Sequence, residues 1–274
     1  YDFMRNAIMA AFLASAICGV IGTLVVIKRF VILAGGIAHA AYGGIGMALY
    51  FGFPQRVGAL SFSCAVSLIL ARITLLEKGR ADTIIGVIWA VGMALGVIFA
   101  DLTPGYGVHL MSYLFGSILT VTRADIIALA IMSLVLIFYF GFFYRTILYI
   151  SFDETFARTY SAHVNVFKYL TTSLMALTIV LNIRMAGIIL VISLLTIPPN
   201  IAMLLTRDYL KIVIISVISG FAGTAAGYAI SWYAGIPVGA TIIFTLAILW
   251  LIVRLVIMFT GRGKNMNKAD KDNN

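Results

Sequence analysis

Long apolar windows, separated by short polar breaks, run along nearly the whole chain. A helix needs roughly 20 mostly apolar residues to cross the hydrocarbon core of a bilayer. We interpret each of the uncharged windows as one membrane span: residues 7–27, 31–55, 57–71, 83–100, 126–144, 169–183 and 185–206. The window at 57–71 is short, so its helix must extend past Arg72 to cross.

A further uncharged run at residues 212–253 has about twice the length of one span. Its middle holds the sequence YAGIP at 233–237, and a Gly and Pro cluster of this kind favours a turn. The run therefore predicts two spans and a total of nine, or eight if one window is re-entrant. The predicted fold class is an all-α polytopic membrane protein, with a single transmembrane domain over 1–274 and a flexible tail at 262–274.

Composition supports a membrane protein. The chain is 62% hydrophobic and 11% charged, with a mean hydropathy of +1.09, whereas soluble domains carry about 25% charged residues. Nothing is left over for a sizeable soluble domain. Cys18 and Cys64 lie inside apolar windows, so we interpret them as packing residues rather than a disulfide or a metal motif.

The 19 Lys and Arg residues orient the predicted spans. Basic residues collect in short cytoplasmic loops and near the inner ends of helices. With the carboxyl terminus inside, and with Arg72 and Arg254 snorkelling from inner helix ends, only four basic residues fall on the outer side: Arg5, Arg56, Arg123 and Arg184.

Residues 102–122 are uncharged but do not look like a simple span. They include Pro104, Gly105, Gly107 and Gly116, which disfavour a continuous helix. We place this segment on the outer side, with a short helix from about His109 that dips into the bundle. Non-helical backbone at membrane depth survives only where protein or water satisfies it, which favours a pathway; a structured outer loop is the alternative.

Small residues cluster around His39, which is the only histidine inside a predicted span. They allow close helix packing, and the glycines are Gly35, Gly36, Gly43, Gly44 and Gly46. An ionisable group in a membrane usually faces a bundle interior, a cavity or a partner. His39 is therefore either a ligand for a passing cation, since imidazole suits Zn, Mn and Fe, or a histidine bonded to a neighbouring helix.

Residues 151–165, with the sequence SFDETFARTYSAHVN, form the longest polar segment between two spans. Ser151 followed by Glu154 fits a capping box, which predicts the start of a short helix. Phe152, Phe156 and Tyr160 recur every four residues and would give that helix one aromatic face. Such a helix either lies on lipid headgroups or docks into a groove of a partner.

Motifs for chemistry are missing from the sequence. It has no GxxxxGK[ST] phosphate loop, so any ATP dependence must come from another subunit. It also has no GxSxG, no HExxH and no pair of carboxylates within one span, so we expect no enzymatic activity. The lack of intramembrane Asp or Glu further weakens a proton- or sodium-coupled carrier.

Three stretches resemble one known family. Residues 26–40, VIKRFVILAGGIAHA, are similar to the signature of zinc and manganese ABC importer permeases. Residues 107–119, GVHLMSYLFGSIL, resemble the outer segment of that family, and residues 187–198, GIILVISLLTIP, resemble its late span. The resemblance covers essentially the whole chain in the same order, and it implies the fold of the cobalamin-type importers.

The resemblance implies an assembly in the bacterial inner membrane with the carboxyl terminus in the cytoplasm. Two permease copies form the pathway, two cytoplasmic ATP-binding cassette subunits drive it, and an extracytoplasmic binding protein delivers the divalent metal ion, which is a substrate rather than a bound cofactor. Residues 152–166 match the cytoplasmic coupling helix, whose ATPase-docking residues would be Asp153, Glu154, Phe156, Ala157, Arg158 and Tyr160. The outer gate would include Met111, Ser112, Tyr113 and Phe115.

The implied metal contacts are incomplete. His39 matches the family histidine in an early broken helix, and His109 and Asp101 are candidate contacts at the outer mouth. Many relatives carry an aspartate four residues before this histidine, where this chain has Gly35. One imidazole does not hold a metal ion tightly, which suits a transient contact.

Two alternatives remain at this point. A permease for an iron chelate or a cobalamin-like cofactor would share the fold but need a wider pathway. A secondary transporter would move its substrate without an ATPase. The sequence does not distinguish zinc from manganese or iron.

Overall fold

The structure is a computed structural model that describes residues 2–76, 81–103, 116, 121–160 and 163–260. Within these ranges all regular secondary structure is helical, as predicted. The helices are α1 (Asp2–Ile27), α2 (Val31–Phe51), α3 (Gln55–Leu76), α4 (Ala81–Asp101), α5 (Arg123–Phe152), α6 (Glu154–Tyr160), α7 (Val164–Leu205), α8 (Tyr209–Ala234) and α9 (Val238–Phe259).

Nine segments of the described helices are long and apolar enough to cross a membrane. Each helix except α6 supplies one of them, and α7 supplies two. The prediction of nine spans is thereby confirmed for the described part of the chain. The turn predicted within 212–253 is also present, because α8 ends at Gly235, which has φ +67° and takes the left-handed conformation that glycine tolerates.

Several predicted windows and the helices they stand for end at different residues, and in two cases the cause is clear. The window at 31–55 does not continue to Gln55, because α2 ends at Phe51 and Gly52 takes a left-handed conformation, φ +73°. The helix predicted at 126–144 starts earlier and ends later, at Arg123–Phe152. Its start is fixed by a capping box in which Thr122 accepts from the backbone N–H of Asp125 and the Asp125 carboxylate accepts from that of Thr122.

The short helix α6 differs from its prediction in two ways. Ser151 and Phe152 belong to α5, so Phe152 is not part of an aromatic face of α6. Ser151 donates to the carbonyl of Ile147 rather than capping a new helix. The cap is Asp153, whose Oδ1 accepts from the backbone N–H groups of Thr155 at 2.8 Å and Phe156 at 3.0 Å. An aspartate directly before the helix can reach both orphan N–H groups, whereas Ser151 still lies within α5.

Helix α7 changes direction at Gly187, whose φ of 75° and ψ of 163° are not helical. A straight helix of 42 residues would be about 63 Å long, which is twice the thickness of a hydrocarbon core. Its two halves therefore fit within the membrane only if the chain turns back. Consistent with this, Leu195 contacts Gly22 near the end of α1, while Thr171 lines a cavity beside Ile27 at the same end of α1.

Helix α2 lies at the centre of the first half of the bundle, packed chiefly against α4 and α3. All residues from Leu33 to Gly46 are buried. The helix is continuous from Val31 to Phe51, so the break that the resemblance implied near His39 is not within α2. The chain is interrupted before it, at residues 28–30, where Arg29 has φ +57°.

Candidate functional site

His39 lies on the buried face of α2 and points at α4. Its side chain is 9% exposed, and its ring stacks on Trp89 with centroids 4.3 Å apart and an interplanar angle of 13°. Its Nδ1 has no hydrogen-bond partner. The residue does not line either of the two larger cavities described below. A buried nitrogen without a partner is uncommon in folded proteins, and here the indole face supplies the only close ring contact among the described residues.

The glycines of α2 lie where other helices come closest. A methyl group at Gly43 would lie 2.8 Å from the carbonyl oxygen of Gly92 on α4. Gly46 meets Gly96 on α4 and Gly44 meets Gly58 on α3, again backbone against backbone. No side chain fits at such positions without moving a helix, which is the physical reason for small residues here.

Gly35 and Gly36 make a different kind of contact, with side chains of α4. A methyl group at Gly36 would lie 2.7 Å from Cγ2 of Ile85. At Gly35 it would lie 3.0 Å from Cζ3 of Trp89, the ring on which His39 stacks. An aspartate at position 35, which the resemblance led us to expect, would therefore have to share space with this indole.

The described residues bring no complete metal site together. No group of three or more His, Cys, Asp or Glu side chains lies within ligating range in the part of the chain that the structure describes. Asp101 is the exposed last residue of α4. His109 and the predicted gate residues Met111, Ser112, Tyr113 and Phe115 lie outside the described residues.

Gly116, one of the few described residues of the predicted outer segment, contacts the backbone of α7. It has φ +67°, and its Cα lies against the backbone of Ala186 and Gly187, where α7 changes direction. A side chain at Gly116 would overlap that backbone. Gly116 thus lies against α7 at the point where the two halves of that helix meet.

A cavity of about 330 Å³, here called the Arg56 cavity, lies at that same end of the bundle between α2, α3, α5 and α7. Its walls are largely apolar and include Ile45 and Val180. An Arg56 nitrogen lies 2.8 Å from Asp125 Oδ1 at the rim, and Asp125 is only 15% exposed. This pair was not predicted from the sequence. The position of Asp125 could have been predicted, because Thr122 followed three residues later by an acidic residue is the pattern of a capping box, and that box orients the Asp125 side chain.

A second cavity of about 530 Å³, here called the Arg29 cavity, lies at the opposite end of the bundle. Ends of α1, α2, α3, α4, α5 and α7 surround it. Lys28, Arg29 and Lys168 line it together with Asp82, and Phe152 at the end of α5 connects its rim to α6.

Helix α6 is attached to the bundle by one side. Ala157 is 1% exposed and packs with Ile150 and Val164. Phe156 is 51% exposed, although one edge of its ring meets Tyr149 at a centroid distance of 5.2 Å. Asp153 and Arg158 are exposed.

Arg158 also links α6 to the next helix, because its Nη2 donates to Asn165 Oδ1 at 3.2 Å. The side chains of Glu154 and Tyr160 lie outside the described part. The described surface of α6 therefore offers one half-exposed aromatic ring flanked by charged residues.

These features define a class of protein. Nine apolar spans among the described residues, close glycine contacts between helices and a seven-residue helix between two spans are those of a polytopic helical membrane protein. The chain belongs to the ABC 3 transport family, whose match covers residues 1–257. The family resemblance expected from residues 26–40, 107–119 and 187–198 is thereby confirmed.

Similar proteins span nearly the full length of the chain. An uncharacterized membrane protein of Synechocystis sp. is 41% identical over 252 residues, which are 92% of this chain and 90% of that protein. A Chlamydia pneumoniae protein named as a probable metal transport system membrane protein is 34% identical over 240 residues, 85% of this chain and 82% of its own.

A solved structure has a similar fold. A chain of PsaBC from Streptococcus pneumoniae, determined in complex with a Fab, matches with a TM-score of 0.81 and 26% identity. The match covers 92% of this chain and 91% of that chain.

Proposed function

We propose that this chain is the membrane-spanning permease subunit of an ATP-driven importer of divalent metal ions: zinc, manganese or iron. The observation that carries the proposal is the match to the ABC 3 transport family over residues 1–257, together with the metal-transport name of a relative that is 34% identical over most of both chains. The all-helical bundle with nine candidate spans in its described part is what a translocation path needs.

The surface of helix α6 supports a role of this helix in docking on the ATPase subunit. It lies between α5 and α7, is held by buried Ala157, and leaves Phe156 half exposed. A half-exposed aromatic ring on a short helix suits a groove on a partner protein. We assign that partner as a cytoplasmic ATP-binding cassette subunit, because the sequence holds no phosphate loop of its own.

The same proposal sets the orientation and the other partners. Helix α6 and the carboxyl terminus face the cytoplasm of a cell with an inner membrane, as the distribution of Lys and Arg favours. A second copy of the chain completes the pathway, and an extracytoplasmic binding protein delivers the ion to the opposite face. His39 contacts the ion transiently, with His109 and Asp101 at the outer mouth and the segment of Met111 to Phe115 as the gate.

Metal uptake by cells tests the proposal. Cells that carry this chain with its ATPase and its binding protein are given zinc, manganese or iron, and a second strain carries the ATPase with a disabled active site. We expect uptake of a free ion that is lost in the second strain. Uptake that persists without ATP hydrolysis would indicate a secondary carrier, and stronger competition by an iron chelate than by free ions would indicate a chelate permease.

A further inference from the structure

The Arg29 cavity has the charge expected of an anion site. Among the described residues, Lys28, Arg29 and Lys168 line it together with one carboxylate, that of Asp82. The amino-terminal ends of α2 and α4 also border it. Backbone N–H groups at a helix start attract negative charge, and no side chain caps the start of α2. The cavity therefore combines three cationic side chains with two helix starts.

The backbone of Arg29, at the edge of this cavity, has an unusual conformation. The backbone N–H of Phe30 donates to Val25 O at 2.7 Å, and that of Arg29 donates to Val26 O at 3.1 Å. This is the pattern in which a glycine usually ends a helix in the left-handed conformation. Arg29 occupies the glycine position with φ +57°, a conformation that is strained for a side chain other than glycine, asparagine or aspartate.

The guanidinium of Arg29 makes no ion pair with a described residue. The chain thus holds an arginine in a strained position at the edge of a cavity, where glycine would relax the backbone. The two backbone hydrogen bonds hold this conformation, and an outlier of this kind at a cavity motivates a hypothesis of function there.

The apolar part of the cavity indicates what kind of anion fits. Phe30, Leu33 and Ile85 are apolar parts of its lining, and Phe152 is 66% exposed at its rim. A free inorganic anion makes no favourable contact with such apolar walls. A phospholipid has both parts, since its phosphate meets the cations while its glycerol and first methylenes meet the apolar lining.

We propose that the Arg29 cavity binds the headgroup of an anionic phospholipid. Basic pockets between membrane helices are typical sites for such headgroups, and a guanidinium pairs with phosphate through two parallel hydrogen bonds. Because Phe152 precedes the Asp153 cap of α6, the bound lipid lies beside the start of that helix. The proposal does not rest on the proposed transport function.

Lipid binding by the purified full chain tests the proposal. Phosphatidylglycerol and phosphatidylcholine are titrated separately into the detergent-solubilised protein, and bound lipid is counted by native mass spectrometry. We expect tighter binding of phosphatidylglycerol, and we expect Arg29→Gly to weaken it at least about fivefold, the factor that corresponds to roughly 1 kcal/mol per basic residue. Arg29→Gly relaxes the backbone, so its thermal stability should not fall.

Three controls make the outcome decisive. Arg29→Lys should restore most of the phosphatidylglycerol affinity, and Lys211→Gln, a basic residue at the start of α8 outside the cavity, should leave it unchanged. Equal binding of both lipids, or equal losses for Arg29→Gly and Lys211→Gln, would overturn the proposal. Saturable binding of inorganic phosphate that excludes phosphatidylglycerol would assign the cavity to a free anion and overturn the lipid assignment.

Discussion

Among single residues, His39 allows the most direct test of contact with the transported ion. Replacing it with alanine removes both ring nitrogens and the stack on Trp89, whereas His39→Phe removes the nitrogens and keeps an aromatic ring. If the imidazole contacts the ion, both variants should lower metal uptake several-fold at unchanged protein levels in the membrane, because phenyl offers no ligand atom.

Two comparisons interpret the His39 variants. Trp89→Phe keeps an aromatic ring beside His39 and leaves the imidazole in place, so it is the control and should keep normal uptake. Normal uptake by His39→Phe would show that the ring only fills space against Trp89. His39 would then be a packing residue.

Gly43 tests how closely α2 and α4 must approach. The methyl group of Gly43→Ala would lie 2.8 Å from the Gly92 carbonyl oxygen, so the helices must separate. Overpacking of this kind costs about 1–3 kcal/mol, and we expect a clearly lower midpoint of thermal unfolding for the purified protein. Gly86→Ala on α4 meets nothing within 4 Å and should unfold at or above the wild-type temperature. Equal midpoints for the two variants would contradict the close contact.

Predictions for single residues succeeded where they depended only on neighbouring residues in the sequence. Five small residues around His39 could be assigned to helix contacts from composition, and the structure places each of them against a neighbouring helix. The stack of His39 on Trp89 and the pair of Arg56 with Asp125 involve residues about 50 or more positions apart along the chain. Nothing in a single sequence brings such residues together, since their distance depends on how whole helices pack.

Among the elements, α6 depends on its cap. Asp153→Ala removes the acceptor for two backbone N–H groups at the helix start, which costs about 1 kcal/mol. We expect the affinity for the ATPase subunit to fall about fivefold, the equilibrium factor for that energy. Asp153→Asn caps a helix nearly as well and should bind normally in the same pull-down or titration, unless the aspartate charge itself contacts the partner.

The exposed ring of Phe156 tests whether α6 docks on the ATPase. Phe156→Ala removes an aromatic ring that is 51% exposed, and central aromatic contacts of this kind dominate interface energies. Metal-stimulated ATP hydrolysis by the reconstituted complex should drop at least about tenfold. Leu210→Ala removes an exposed apolar side chain at the start of α8, outside residues 152–166, and serves as the control. Full stimulation in Phe156→Ala would refute the docking assignment.

The existence of the elements was easier to predict than their ends. Hydrophobic windows identified each long helix, because a membrane helix is set by a long apolar run. The ends depend on caps, and two acceptors compete before α6: Ser151 fits the pattern, but its hydroxyl bonds within α5 while Asp153 caps the new helix. Sequence spacing alone does not decide between two such neighbours.

At the scale of the whole molecule, nine alternating crossings by the described helices would fix the side on which each described loop lies. In a variant without Cys18 and Cys64, a cysteine in place of Ile236, in the turn between α8 and α9, should react with a membrane-impermeant maleimide added to intact cells. A cysteine in place of Arg207, before α8, should react only after the cells are opened. Labelling of both from outside, or the reverse pattern, would contradict the orientation in which the carboxyl terminus is cytoplasmic.

The number and order of the spans in the described part could be predicted because hydropathy acts along the chain. The double-length run at 212–253 was divided correctly at Gly235, where turn chemistry is strong. The two cavities could not be predicted, since each forms where ends of several helices meet. Cavities are properties of packing between elements, and hydropathy windows carry no information about them.

The irregular position in α5 has a mechanical consequence. Phe143 is not helical, with φ −108° and ψ 17°, and its ring contacts Tyr139 on α5 and Phe167 on α7. The residues that follow Phe143 in α5, together with α6 and the start of α7, are joined through Ala157 and the Arg158–Asn165 bond. A displacement of α6 is therefore expected to swing this short arm about Phe143, so that the remainder of α5 can stay in place while the end nearest α6 moves.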